Sequence, residues 1–186
     1  MAWEEQVFSL LEDLEQQAES MYAVERGPEL ADRARSEYAT VTLAARLAAG
    51  VGAPLSLEVR GVGRLTGVLE RLAAGWLRIG VAGQEWVVRT SAVVEVRGAS
   101  ARAVPEVAWS VADRVGVGSA LRRLADEGQP CWWHRLDGGR TEGVPVRVGA
   151  DFVELRSGAQ GEGVLVALDE LAAVVPVGTV QVASRS

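Results

Sequence analysis

Within the string PCWWHRLDGGRTEG, residues 130–143, the chain places its only cysteine, its only histidine and two of its six tryptophans: Cys131, His134, Trp132 and Trp133. A thiol and an imidazole so close together suggest either a nucleophile with its base or the start of a metal site. Each chemistry needs more than the chain supplies. A zinc site takes several converging ligands, and acid-base work at neutral pH calls on a histidine or paired carboxylates in a pocket. His134 and Cys131 are the sole residues of their kinds, and no G-x-x-x-x-G-K, G-x-S-x-G or H-E-x-x-H string occurs. GVGSAL, residues 116–121, follows no strand that would make it a phosphate loop and reads as a helix start. The expectation is a protein that is not an enzyme, with no metal and no cofactor.

The elements that carry this cluster belong to a chain of 186 residues, 48% of them hydrophobic, enough for one ordinary domain or two small ones. No window approaches the ~18 to 20 apolar residues of a membrane span, and MAWEEQ lacks the basic and apolar regions of a signal peptide. With a single cysteine and therefore no intrachain disulfide, the expected location is the cytoplasm. Every basic side chain is arginine, with neither Lys nor Asn present, a bias that suggests a high-GC bacterial genome. Charge is uneven: residues 1–49 carry -6, residues 50–100 carry +2 and residues 101–186 carry -2. A net charge of -6 argues against general nucleic-acid binding, which draws on clustered cations.

Val7, Leu11, Leu14, Ala18 and Met21 form one helical stripe, and Ala34, Tyr38, Val41, Ala45 and Ala48 form another beyond Gly27-Pro28. The first fifty residues therefore read as a helical hairpin or one kinked helix, packed on the rest of the chain or on a second copy. From Pro54 the pattern changes to short apolar runs with Gly-rich turns: PLSLEVRGVGRLTGVLERL, AAGWLRIGV and EWVVRTSAVVEVR read as strands. GASARAVPEVAW is a connector, and VGSALRRLADEG is a further helix before the strands resume.

Residues 43–82 laid over 119–158 give eleven identities in forty, where this composition would give about four by chance. After a two-residue insertion near Gln160, WVVRTSAVVEV continues over VLVALDELAAV. Each copy is a helix followed by about five strands. Cys131 falls on Leu55 and Trp133 on Leu57, two members of an alternating apolar set, while His134 falls on Glu58 and faces outward. Asp137-Gly138 suits a tight hairpin turn. The cluster thus reads as a core strand with its turn, and Cys131 as a buried small hydrophobe. Arg135, which falls on Val59, is out of phase and marks a twist or the strand end.

The second copy resembles the Hfq-type RNA chaperones of bacteria and the wider Sm superfamily. The strings that carry the resemblance are ALRR at Ala120–Arg123, Pro130, LDG at Leu136–Gly138, Gly143, DFVEL at Asp151–Leu155 and LAAVVP at Leu171–Pro176. The first copy is similar at GVGRLTG, GWLRI and SAVVEV. The resemblance implies a helix on a bent five-stranded barrel in each copy, and association from edge to edge. It also implies RNA contacts from two loops, of which the second copy keeps Asp151 but has Ala167, Leu168 and Asp169 at the basic positions. The first copy has Arg89 there.

The fold expectation is therefore α+β, mainly β. A helical region at 1–42 precedes an Sm-like, SH3-like barrel at 43–97, a connector at 98–117, a second barrel at 118–177 and a tail at 178–186. The expected function is an adaptor or assembly protein that self-associates or meets a protein partner through barrel edges and N-terminal helices. The alternative is a transcriptional or post-transcriptional regulator that binds RNA weakly through Arg89, Arg64, Arg71, Arg78 and Trp132, with Arg60 beside them.

Overall fold

The computed structural model describes residues 35–178, together with residues 16, 32 and 33. These fall into two compact units that divide after Val41. In the first unit residues 35–39 are helical, with Arg33–Glu37 and Arg35–Asp32 ion pairs at 3.2 and 2.5 Å. The stripe from Val7 to Met21 and the Gly27-Pro28 break lie outside the described residues. The second expected helix is not continuous. Its backbone leaves the helix at Thr40 and restarts as α1 (Leu43–Ala48), where the Thr42 hydroxyl accepts from the Ala45 N–H at 3.1 Å and caps the new first turn.

Ten strands follow: β1 (Pro54–Val59), β2 (Gly63–Ala73), β3 (Trp76–Val81), β4 (Gln84–Arg89), β5 (Val93–Arg97), β6 (Cys131–Arg135), β7 (Arg140–Val148), β8 (Phe152–Ser157), β9 (Glu162–Ala167) and β10 (Leu171–Pro176). Helix α2 (Val117–Glu127) precedes β6 and ends on Gly128, whose φ of 64° is the left-handed cap that glycine favours. The connector carries two short 3-10 turns, Glu106–Ala108 and Val111–Arg114, tied down by Val104 N–H to Ala45 O and Ala74 N–H to Asp113 O, both 2.8 Å.

The expected pair of five-stranded barrels is not what forms. The ten strands make a single open antiparallel sheet in the order β5-β1-β2-β3-β4-β10-β6-β7-β8-β9, with little helix among the described residues. What joins the halves is β10, which pairs with β6 on one side (Val174↔Trp133) and with β4 on the other (Ala173↔Val88, Val174↔Val87). Residues Leu171–Val175 are all buried. Ala172 and Ala173 belong to the core of the first half, with Leu57, Leu69, Leu77, Ile79 and Val88, while Leu171 and Val174 belong to that of the second, with Leu121, Trp133, Val153 and Leu155. A strand with two dry faces and both edges paired cannot be the free rim of a separate barrel.

The repeat is nevertheless visible in the ladders. Each half runs fifth strand, first, second, third, fourth, and the long second strands bulge at matching points, Leu69/Arg71 in β2 and Pro145/Arg147 in β7. Pro145, which cannot donate to a ladder, sits at that bulge. Gly67 and Gly143, identical in the alignment, share a reason. A Cβ on Gly67 would overlap the Gly80 carbonyl oxygen across the ladder, and one on Gly143 would press on Arg156 O and Leu155 Cβ, each at 3.1 Å. Both halves turn from the fourth to the fifth strand through a 3-10 turn, Thr90–Ala92 and Leu168–Glu170.

Candidate functional site

The opening cluster is resolved by strand alternation. On β6 Cys131 and Trp133 point into the second core, both fully buried, and the Trp133 indole N–H donates to Gly143 O at 3.1 Å. Burial first, and then the Glu127 carboxylate, pushes the Cys131 thiol up to about 11, so it stays protonated at neutral pH. Cys131 and His134 therefore make no nucleophile-base pair. His134 lies on the other face, its ring 5.3 Å from that of Trp86 on β4, across the thin Ala173 of β10. Burial, aided by the Arg140 charge, lowers its pKa. The turn behaves as its residues require: Asp137 Oδ1 accepts from the Gly139 N–H at 2.7 Å, and Gly138 takes φ 84°. The backbone bond from Gly139 holds the Asp137 carboxyl below its ordinary range. Arg135 closes β6, with its N–H on Gly139 O and its guanidinium on Thr141 Oγ1 at 3.2 Å. Among the described residues no group of three or more His, Cys, Asp or Glu could hold a metal ion.

Of the five residues singled out for nucleic acid, Arg64, Arg89 and Trp132 each meet a partner within the chain. Arg64 sits 3.4 Å from Glu58, its cross-strand neighbour. Arg89 lies at the intrachain junction, donating to Leu168 O at 3.1 Å with Asp169 at 4.0 Å. The basic position of the first half thus grips the acidic turn of the second. Trp132 carries the Arg140 guanidinium 4.7 Å above its ring.

Arg71 and Arg78 are brought together. They are register partners on β2 and β3 and line a cavity of about 230 Å³ between those strands, β4, the connector and α2. Its apolar lining is Trp76, Val87, Val115, Ala120 and Leu124. Trp76 and Val87 form a small buried cluster with Ala73, against which Val117 and Ala120 of α2 pack. The Trp76 indole N–H is spent on Val115 O at 2.8 Å, and Arg71 lies 5.6 Å over its ring while donating to Ala112 O at 2.7 Å. Arg78 sits 2.9 Å from Glu70 and 3.4 Å from Glu85, yet its buried Nε has no aligned acceptor. Arg123, from α2, reaches Glu127 at 3.1 Å. Arg123 stands within ALRR, but nothing in the one-dimensional sequence ties it to Arg78; the helix must first dock on β3 and β4.

The two outer edges of the sheet carry a signal that the internal alignment holds. Val87, 9% exposed on β4 where Val117 and Ala120 of α2 pack over its cluster, corresponds to Leu165 on β9, which is 66% exposed. Ala172, fully buried in β10, corresponds to Val94 on β5, which is 62% exposed. The first and last strands of the sheet thus each expose an apolar residue whose counterpart in the other half is covered.

No family model matches this chain, and no curated protein matches it. Among the described residues no helix is long and apolar enough to cross a membrane.

Proposed function

We propose that this chain is a non-enzymatic assembly protein, an adaptor that acts by pairing strands at the outer edges of its sheet. The observation that carries the reading is the correspondence between the internal junction and the free edges. Ala172 and Ala173 are buried in β10, which pairs with β4, whereas the corresponding strand β5 presents Val94 to solvent, and Leu165 on β9, the strand corresponding to β4, is likewise exposed. Unpaired edge strands bearing apolar side chains are templates for another strand. Because β9 corresponds to β4 and β5 to β10, one copy's β9 complements the next copy's β5 in a head-to-tail contact. Glu95 stands where the junction has Ala173, and with its Arg97 partner it makes the outer contact weaker than the inner one.

A regulator acting through Arg64, Arg71, Arg78 and Arg89 finds less support, since each guanidinium already faces a carboxylate. The lone cysteine fits a reducing compartment, and the reading puts the protein in the cytoplasm.

Native mass by analytical ultracentrifugation tests the assembly. Wild type is expected to grow in mass with concentration, and Leu165→Asp and Val94→Asp are each expected to stay monomeric. Mixed together, the two variants should form a 1:1 dimer, because each supplies the edge the other has lost. A wild type that is monomeric at every concentration, or a mixture that does not dimerise, would count against head-to-tail pairing.

A further inference from the structure

We infer that helix α1 of a second copy covers Phe152 and Leu165 on the last two strand positions of this sheet, as α2 covers Trp76 and Val87 within the chain. This contact rests on the head-to-tail pairing proposed above and adds a helix to it. Its template is internal. Ala73, Trp76 and Val87 are 0%, 5% and 9% exposed, and α2, the helix of the following repeat, lays Val117 and Ala120 over them. The same helix sends Leu121 into the core of its own half, so it clasps both halves at once.

The alignment of the two copies carries Ala73, Trp76 and Val87 to Gly149, Phe152 and Leu165. The ladders agree, since the pair Trp76↔Arg89 of β3 and β4 recurs as Phe152↔Ala167 in β8 and β9. No helix follows β10 among the described residues. Phe152 is accordingly only half-buried, its ring occupying the space that a Cβ on Gly149 would need, and Leu165 is 66% exposed. The two are diagonal neighbours on one face of the ladder, so together they form an apolar patch. The occupant follows from the same correspondence. Helix α1 buries Ala45 and Leu47 in its own core, with Ala45 at the place of Leu121, and keeps Ala44 at the place of Ala120. Leu43, 45% exposed, replaces Ser119, which in α2 lines the cavity beside Trp76. When β5 of the second copy pairs with β9 of the first as β10 pairs with β4, the same rotation brings α1 of the second copy over Phe152 and Leu165.

Crosslinking of the full chain with a short bis-maleimide tests the contact, using Ala44→Cys in one variant and Leu165→Cys in the other. The native Cys131 is fully buried and stays unreactive. A covalent dimer is expected only when the two variants are mixed. Neither variant alone should give one, nor should Ala44→Cys mixed with Val107→Cys, whose thiol sits on the connector. Ala44→Glu puts a charge on a partly exposed position of α1, so the urea midpoint should hold while self-association weakens about tenfold or more. Wild-type self-association without the mixed crosslink, or Ala44→Glu associating as tightly as wild type, would overturn the helix contact and leave strand pairing standing. A wild type that is monomeric at every concentration would overturn both.

Discussion

The β4–β10 junction and the outer edges β9 and β5 are the same structural element in two states, one sealed and one open. In the sealed state small side chains on β10 let two cores approach from opposite sides: Ala172 and Ala173 face the first, Leu171 and Val174 the second. In the open state Leu165 and Val94 are exposed, and the charged pair Glu95–Arg97 occupies the strand corresponding to β10. Substituting Glu for Ala at one ladder position turns a strand that must be covered into one that can stand at an edge. The difference teaches that the repeat supplies a joining surface that closes within the chain at β4–β10 and that, under the proposed assembly, a second copy would meet at β9 and β5.

The largest effect that can break this comparison is a charge in the sealed junction. Val88→Asp places an unpaired carboxylate where exposure is 0%, and a loss of about 4 kcal/mol or more is expected in urea denaturation. Leu165→Asp, a junction-equivalent position on the open edge, should change stability by no more than about 0.5 kcal/mol while abolishing self-association. Equal losses at the two sites would remove the distinction between sealed and open.

A smaller effect compares the cores on either side. Trp133→Ala should cost about 3 to 5 kcal/mol, since it empties the largest fully buried side chain among the described residues and removes its hydrogen bond to the Gly143 carbonyl. Leu57→Ala, the matching position of the first copy, should cost about 2 to 5 kcal/mol by the same measurement. Cys131→Ser, also in the second core, should cost about 1 to 3 kcal/mol for a buried hydroxyl. In wild type the thiol should react with a labelling reagent only as fast as the chain opens, because it is fully buried and its pKa is pushed up to about 11.

The smallest effect sharpens the junction itself. The His134 ring lies 5.3 Å from that of Trp86 and tilted to it, across β10, and burial together with Arg140 lowers its pKa. The folded chain thus keeps the ring neutral where the unfolded chain would protonate it. Its contribution is fully present above the unfolded value of about 6.5 and is lost as pH falls from there toward the lower folded value. Urea midpoints should decline across that window in wild type and stay flatter in His134→Gln. A parallel decline in both would assign the pH dependence elsewhere.

Much of the local structure was legible because it depends on neighbours in sequence. Alternation put Leu55, Leu57, Cys131 and Trp133 inward, and Gly116 and Gly128 bracketed α2 as its ends require. The second N-terminal helix was misread because Tyr38, Val41, Ala45 and Ala48 keep helical spacing across Thr42, whose capping hydroxyl starts a new helix instead. The candidate cavity was half legible: Arg71 and Arg78 were singled out, but Trp76, Arg123 and Glu85 join them only through the docking of α2. Arg89 was read as a nucleic-acid contact, and its ties to Leu168 and Asp169 were not legible because those residues lie far along the chain.

The sequence by itself determined the repeat, the strands, their inward faces and the burial of its single cysteine, since periodicity and turn chemistry act over a few residues. Only the tertiary structure decided that the two copies merge. Strand pairing is a contest between edges, and the uninterrupted apolar run LAAVVP marks a strand buried on both faces without saying whether one strand or two will pair with it. The contest was settled in space, where the alanines of β10 are small enough for β4 to close over them and the first core to reach across.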